Sequence, residues 1–275
     1  MRTLTLGHSP DPDDAFMFYA LAKGCIETGD LRFEYILQDI ETLNQRATRG
    51  ELDITALSLH AYAYVADKYA LLTCGASVGE MYGPLVVARK AMTLRGLRRC
   101  RVAVPGTLTT AFLVLKLAVG KFPHVVMPFD AILGAVATGT ADAGLIIHEG
   151  QLTYQKQALK KVADLGEWWF EQTGLPLPLG VNGVKKELGR PLMERVAKLL
   201  RESIDYGLAH RTEAVRHALN YARDMDEPLA DKFVGMYVND FTVDIGERGR
   251  RAIETLLARA HEAGVIPRAV QCEFV

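Results

Sequence analysis

The sequence predicts an α/β protein of two lobes facing one another across a cleft. Three observations predict it. Short apolar strands alternate with amphipathic helices over the first 150 residues, the pattern of helices packed on mostly parallel sheets. One stretch repeats in kind: Arg49-Gly50-Glu51-Leu52-Asp53 leads into an apolar strand ending at Ser58, and Thr138-Gly139-Thr140-Ala141-Asp142 leads into another ending at His148. The two Gly and the two Asp are each 89 positions apart, so two α/β units of similar build lie in this region. Finally, Leu175-Pro176-Leu177-Pro178-Leu179-Gly180 reads as a Pro-rich segment returning the chain from one unit to the other.

The elements follow from the periodicities. Thr3–Gly7 alternates as a strand, and Asp13–Lys23 spaces Phe16, Tyr19, Ala20 and Lys23 as a helix. Arg32–Gln38 is a second strand, Glu41–Arg49 a helix stopped by Gly50, and Asp53–Ser58 a third strand. Leu85–Arg89 and Arg101–Val104 are strands, Thr109–Val119 is a helix, and Leu145–His148 is a buried strand. Trp168-Trp169-Phe170 is a packing block on a helix. From Lys186 to Ala263 the chain is almost wholly helical, with Gly264 as the stop; Thr242 or Asp244 would cap the helix after the polar break at Tyr237–Gly246. The expected division is a discontinuous larger lobe, 1–91 and 174–275, with a smaller lobe inserted at 92–173.

Composition narrows the function. Of 275 residues, 32 are Lys or Arg and 33 Asp or Glu, so the chain lacks the basic surplus of a nucleic-acid binder. The cysteines, Cys25, Cys74, Cys100 and Cys272, share no CxxC spacing and read as buried free thiols in a reducing compartment. The N-terminus has no signal-like apolar core, and Ala111–Val119 is too short to span a bilayer. The expectation is a cytoplasmic protein without membrane or nucleic-acid partners.

Three segments carry candidate chemistry. His8-Ser9-Pro10-Asp11-Pro12-Asp13-Asp14 joins the first strand to the first helix, beyond the C-terminal end of a parallel strand, where open α/β sheets bind ligands. Ser9 offers a hydroxyl and backbone amides there, while Asp11 or Asp13 can equally serve as helix caps. No His stands at ligand spacing from these carboxylates, which argues against a metal. Pro105-Gly106-Thr107-Leu108-Thr109-Thr110 opens a helix with three hydroxyls at its positive end. That is either an anion site or plain capping by Thr107 or Thr109. His148 stands at the inner end of a buried strand, with Ser58 in the matching place of the first unit; its imidazole suits general-base work near neutrality.

Together these residues resemble the menaquinone-pathway enzymes of the futalosine route, relatives of periplasmic solute-binding proteins. The resemblance rests on Ser9-Pro10-x-Pro12-x-Asp14, Gly83-Pro84-Leu85-Val86-Val87, Pro105-Gly106-x-x-Thr109-Thr110-Ala111, Leu145-Ile146-Ile147-His148-Glu149-Gly150 followed by Thr153-Tyr154, the Leu175–Gly180 return, and Tyr237-Val238-Asn239. Asp11, Asp13 and Ala15 depart from the family's usual Cys, Asn and Thr; the two added carboxylates repel an anionic substrate if they face it.

The resemblance implies a two-lobed fold like that of type II periplasmic binding proteins, with an interlobe cleft. It also implies cofactor-free conversion of cyclic dehypoxanthinyl futalosine to 1,4-dihydroxy-6-naphthoate, with a His as base. The residue assignment is then His148 as base, with Ser9, Ser58, Thr107, Thr109 and Thr110 binding a small anionic aromatic substrate, and a homodimer as the further expected assembly. Two other readings stand beside it: a solute-binding or sensor protein for a small carboxylate, and chorismate dehydration.

Overall fold

The computed structural model describes residues 1–221 and 226–275. Two β-sheets carry the chain. The first is formed by β1 (Arg2–His8), β2 (Leu31–Leu37), β3 (Ile54–Ser58), β4 (Tyr69–Leu71) and β5 (Ser77–Gly79). The second holds β6 (Leu85–Ala88), β7 (Val102–Val104), β8 (His124–Val126), β9 (Ala143–Ile146) and β10 (Lys160–Asp164); the chain then rejoins the first sheet as β11 (Leu177–Lys185). The strand orders are β2-β1-β3-β11-β4, with β5 on β11, and β10-β6-β9-β7-β8.

The sheets are mixed rather than parallel throughout. β1, β2 and β3 run parallel, as do β7, β8 and β9, as the alternation of strand and helix predicts. β6 and β11 run against their neighbours. These are the segments that carry the chain into the second sheet and back. Pairing them antiparallel satisfies their backbone groups. The Pro-rich return is thus itself a central strand, with an irregularity between Pro178 and Gly180 where a ladder donor is missing. β6 also joins the second sheet although it lies ahead of position 92, so that sheet begins earlier than the expected insertion.

Other boundaries moved as well. The first helix is broken: α1 (Pro12–Met17) ends at Phe18, whose ring stacks on His8 at 4.9 Å, and a further turn, Tyr19–Ala22, follows. Glu41–Arg49 appears as α2 (Ile40–Thr48), capped by Asp39, which accepts from the Thr42 amide at 3.0 Å. The next helices used below are α3 (Leu59–Val65), α4 (Thr110–Val119), α5 (Leu165–Thr173) and α6 (Gly246–Glu262). The expected helical run 186–263 is present as a series of helices; its residues 222–225 lie outside the described residues. Asn239 caps the short helix Asp240–Val243 in a reciprocal box with Thr242. At the start of α6 Ile245 holds the N-cap position, and of the two expected caps it is Asp244 whose Oδ1 accepts from the Gly246 amide, at 2.8 Å. Gly264, at φ +65°, follows α6 as expected.

One apolar cluster runs through both lobes behind the cleft, joining Leu57 and Tyr69 of the first, Leu113 and Trp169 of the second, and Leu256 of α6. Trp169 donates its indole N–H to the Pro176 carbonyl at 3.1 Å, so the aromatic block packs, as expected, against the return. All four thiols are free, but only Cys74 is buried and Cys25 is exposed. No helix among the described residues is long and apolar enough to cross a membrane.

Candidate active site

The C-terminal ends of β1 and β3 and the N-termini of α1 and α4 meet at an interlobe cleft holding about 730 Å³ of empty space, its mouth included. This suits a small organic ligand, and strand ends opposed by helix N-termini are where such folds bind one. Ser9, Asp13, Asp14 and Ser58 wall the cleft from the first lobe; Thr109, Thr110, Ala111 and Ile147 wall it from the second.

The β1–α1 loop is a closed hydrogen-bond system. Asp14 Oδ2 accepts from the Ser9 amide at 2.8 Å, the Ser9 hydroxyl donates to Asp11 Oδ2 at 3.0 Å, and the Ser77 hydroxyl donates to Asp13 Oδ2 at 3.1 Å. Asp11 occupies the N-cap position of α1 without a side-chain capping bond, so capping does not explain these carboxylates. Burial pushes the Asp14 carboxyl up to about 6 against the pull of the Ser9 amide. Asp13 is raised as well, first by burial and then by the charges of Asp14 and Asp11. The two carboxylates expected to repel an anion, Asp11 and Asp13, both wall the cleft, and burial shifts Asp13 toward its neutral form. His8, behind the loop, is held neutral by burial, its pKa lowered to about 4.

The α4 turn keeps its amides and spends its hydroxyls. Thr109 is the cap: its Oγ1 accepts from the Phe112 amide at 3.2 Å and donates to the Gly106 carbonyl at 3.1 Å. Thr110 Oγ1 bridges the lobes, accepting from the Leu59 amide at 2.8 Å and donating to the Leu179 carbonyl at 2.5 Å. Among the described residues, the amides of Thr110 and Ala111 have no partner, and both residues face the cleft. Thr107 lies outside the cleft wall and is half-buried. Ser58 is buried and fixed by Asn44, which donates to its hydroxyl at 3.0 Å and accepts from its amide at 2.9 Å.

His148 lies two residues past the end of β9, in a tight turn rather than on the strand. Its Nδ1 accepts from the Gly150 amide at 2.9 Å, so Nε2 carries the proton and donates to the Phe129 carbonyl at 2.9 Å. The ring is 5% exposed, and its neighbour Ile147 is the residue that walls the cleft.

Sequence reasoning missed three participants. Ser77 and Asn182 wall the cleft from β5 and β11, neither of which alternates clearly in sequence. Tyr237 joins the lobes through its hydroxyl, donated to Gln151 Oε1 at 3.0 Å; the Tyr237-Val238-Asn239 motif was the available signal.

A family model described as menaquinone biosynthesis matches residues 4–262. The chain belongs to the menaquinone-biosynthesis family. It is 44% identical over 275 residues, the full length of both chains, to a 1,4-dihydroxy-6-naphthoate synthase of Thermus thermophilus. A protein of the same name from Streptomyces coelicolor is 41% identical, over 96% of this chain and 95% of that one. Among solved structures, protein AF1704 of Archaeoglobus fulgidus superposes with a TM-score of 0.92 at 46% identity, covering 96% of this chain and 98% of that one. At 15% identity, a Candida albicans protein with the generic periplasmic-binding-protein fold reaches 0.74 over 98% and 92% of the two chains. This member of the menaquinone-biosynthesis family therefore has the periplasmic-binding-protein fold.

Proposed function

We propose that the chain is a carbon–carbon lyase of menaquinone biosynthesis that converts cyclic dehypoxanthinyl futalosine to 1,4-dihydroxy-6-naphthoate. The observation that carries the reading is identity above 40% to two naphthoate synthases along essentially the whole chain. The cleft supports it physically. The substrate's carboxylate sits on the open amides of Thr110 and Ala111 at the positive end of α4, within the turn of Thr107, Thr109 and Thr110. Ser9 and Ser58 face it from the other lobe.

His148 is the proposed base. Nδ1 carries its lone pair and is engaged by the Gly150 amide, so base action exchanges that donor for the substrate's proton as the cleft fills. Cleavage next to a carbonyl needs such a base, and aromatisation of the product supplies the driving force. The chemistry calls for no cofactor. The lobes at 1–91 with 174–275 and at 92–173, with β6 added to the latter, are the bodies proposed to hold the substrate between them, in a cytoplasmic homodimer.

Incubating the purified chain with cyclic dehypoxanthinyl futalosine and following the naphthoate chromophore tests the reading. Tight binding without turnover would favour a binding protein, and turnover of chorismate the dehydratase.

A further inference from the structure

The α4 turn already carries a carboxylate, and it comes from the opposite lobe. Glu41, on the first turn of α2, reaches across so that its Oε2 accepts from the Leu108 amide at 3.0 Å and its Oε1 lies 3.4 Å from the same nitrogen. Gln45, one turn along α2, donates to Oε1 at 3.3 Å. The carboxylate is packed so closely that a Cβ on Gly106 would overlap it, which gives Gly106 a reason to be glycine. Three residues on, Asn44 Nδ2 lies 3.4 Å from the Leu108 carbonyl, so both backbone groups of Leu108 are held by α2. Glu41 is half-buried and does not wall the cleft, whereas Thr110 and Ala111 do.

The turn therefore has an outer amide, filled by the protein itself, and two inner amides open to the cleft. We propose that Glu41 is a positioning and specificity residue: it latches the α4 turn to the first lobe and, by filling the outer amide, limits the turn to one carboxylate of the ligand. A monocarboxylate seats on Thr110 and Ala111 beside the latch. A ligand with a second carboxylate close to the first meets the Glu41 charge instead of a donor, and is rejected. The inference rests on the reading of this turn as the carboxylate seat.

Two probes, benzoate and isophthalate, test it by titration calorimetry against the intact chain and two variants. Glu41→Ala empties the outer amide, so isophthalate should gain at least ~10-fold in affinity relative to benzoate. Glu41→Gln keeps an oxygen acceptor on Leu108 and should hold benzoate affinity within ~3-fold of the parent. Loss of a purely structural contact would weaken both probes together. An unchanged benzoate-to-isophthalate ratio in Glu41→Ala overturns the proposal, as does failure of either probe to bind any of the three proteins. The turnover assay is separate: a parent chain that forms no naphthoate sinks the reading of the reaction, while the probe ratio still reports on Glu41.

Discussion

At the scale of single residues, the cleft is governed by what burial does to proton-binding groups. His148 has both ring nitrogens in backbone hydrogen bonds, and this defines its test. In His148→Asn the amide can still donate to the Phe129 carbonyl but cannot take up a proton near neutrality. The expected outcome is a fall in kcat of ~10² or more with ligand affinity and melting temperature nearly kept. A variant that turns over at close to the parental rate would remove His148 from the mechanism. The aspartates make a second prediction. The folded chain holds the Asp14 proton up to a pKa of about 6, whereas the unfolded chain releases it near 3.8. Between those values the folded state binds more protons, so stability falls as pH rises, and above about 6 the cost stands in full. Asp14→Asn, whose amide oxygen can still accept from Ser9, should therefore raise the melting temperature more at ~pH 7.5 than at ~pH 4. An equal change at both pH values would show that the carboxyl is not desolvated. Sequence alone placed Ser9, Ser58 and His148 near strand ends. It could not show the partners of His148, because the Phe129 carbonyl arrives from 19 residues upstream by tertiary packing.

Whole elements show where that legibility ends. Most of the parallel strands (β1, β2, β3, β7 and β9) and the helices at 13–23, 41–49 and 109–119 were readable because alternation and 3.6-residue spacing survive in sequence, whereas β8 and the helices Leu59–Val65 and Ile132–Thr138 were not read. β6 was readable as a strand, Leu85–Arg89, but not its antiparallel direction, and β11 was not readable at all, since a Pro-rich run carries no period of its own and acquires strand character only from the ladder it joins. The α4 turn was half readable. Its three hydroxyls marked a helix start, but fold-internal bonds consume those of Thr109 and Thr110, and the amides are left for a ligand. Thr109→Val removes the cap and should cost ~1 kcal/mol of stability. Thr109→Val combined with Thr110→Val also removes the Leu59 and Leu179 contacts, so the turn loses its place against the other lobe. Substrate affinity in the double variant should fall several-fold more than in Thr109→Val alone. Equal affinities in a direct titration would reduce the turn to a helix cap.

The molecule as a whole is two sheets joined by close-packed crossings, and the geometry of the cleft depends on how near those crossings come. The outgoing segment at Tyr82–Pro84 touches the start of α5: the Leu165 amide donates to the Pro84 carbonyl at 3.0 Å. A Cβ on Gly166 would overlap the Tyr82 carbonyl and lie 2.6 Å from the Gly83 nitrogen. Both obstacles are backbone, so no side-chain rotation relieves them. The two crossings have to separate, and the lobes shift with them. Gly134, in the helix Ile132–Thr138, is the natural control, because a Cβ there meets nothing within 4 Å. Gly134→Ala should leave KM unchanged and raise stability by up to ~1 kcal/mol, the ordinary helix preference of Ala over Gly. Gly166→Ala should lose ~2 kcal/mol or more, a drop of ~4–8 °C in melting temperature for a chain of this size, because a crowded backbone has nowhere to relax. Its KM should rise by ~5-fold or more, since the cleft proposed to hold the substrate is lined by residues of both lobes and a shifted lobe misplaces part of that lining. Stability and KM should therefore fail together at Gly166 and neither at Gly134. A Gly166→Ala protein that melts and binds like the parent would mean that the crossings yield without moving the lobes, and that the cleft is set instead by the apolar cluster shared behind it.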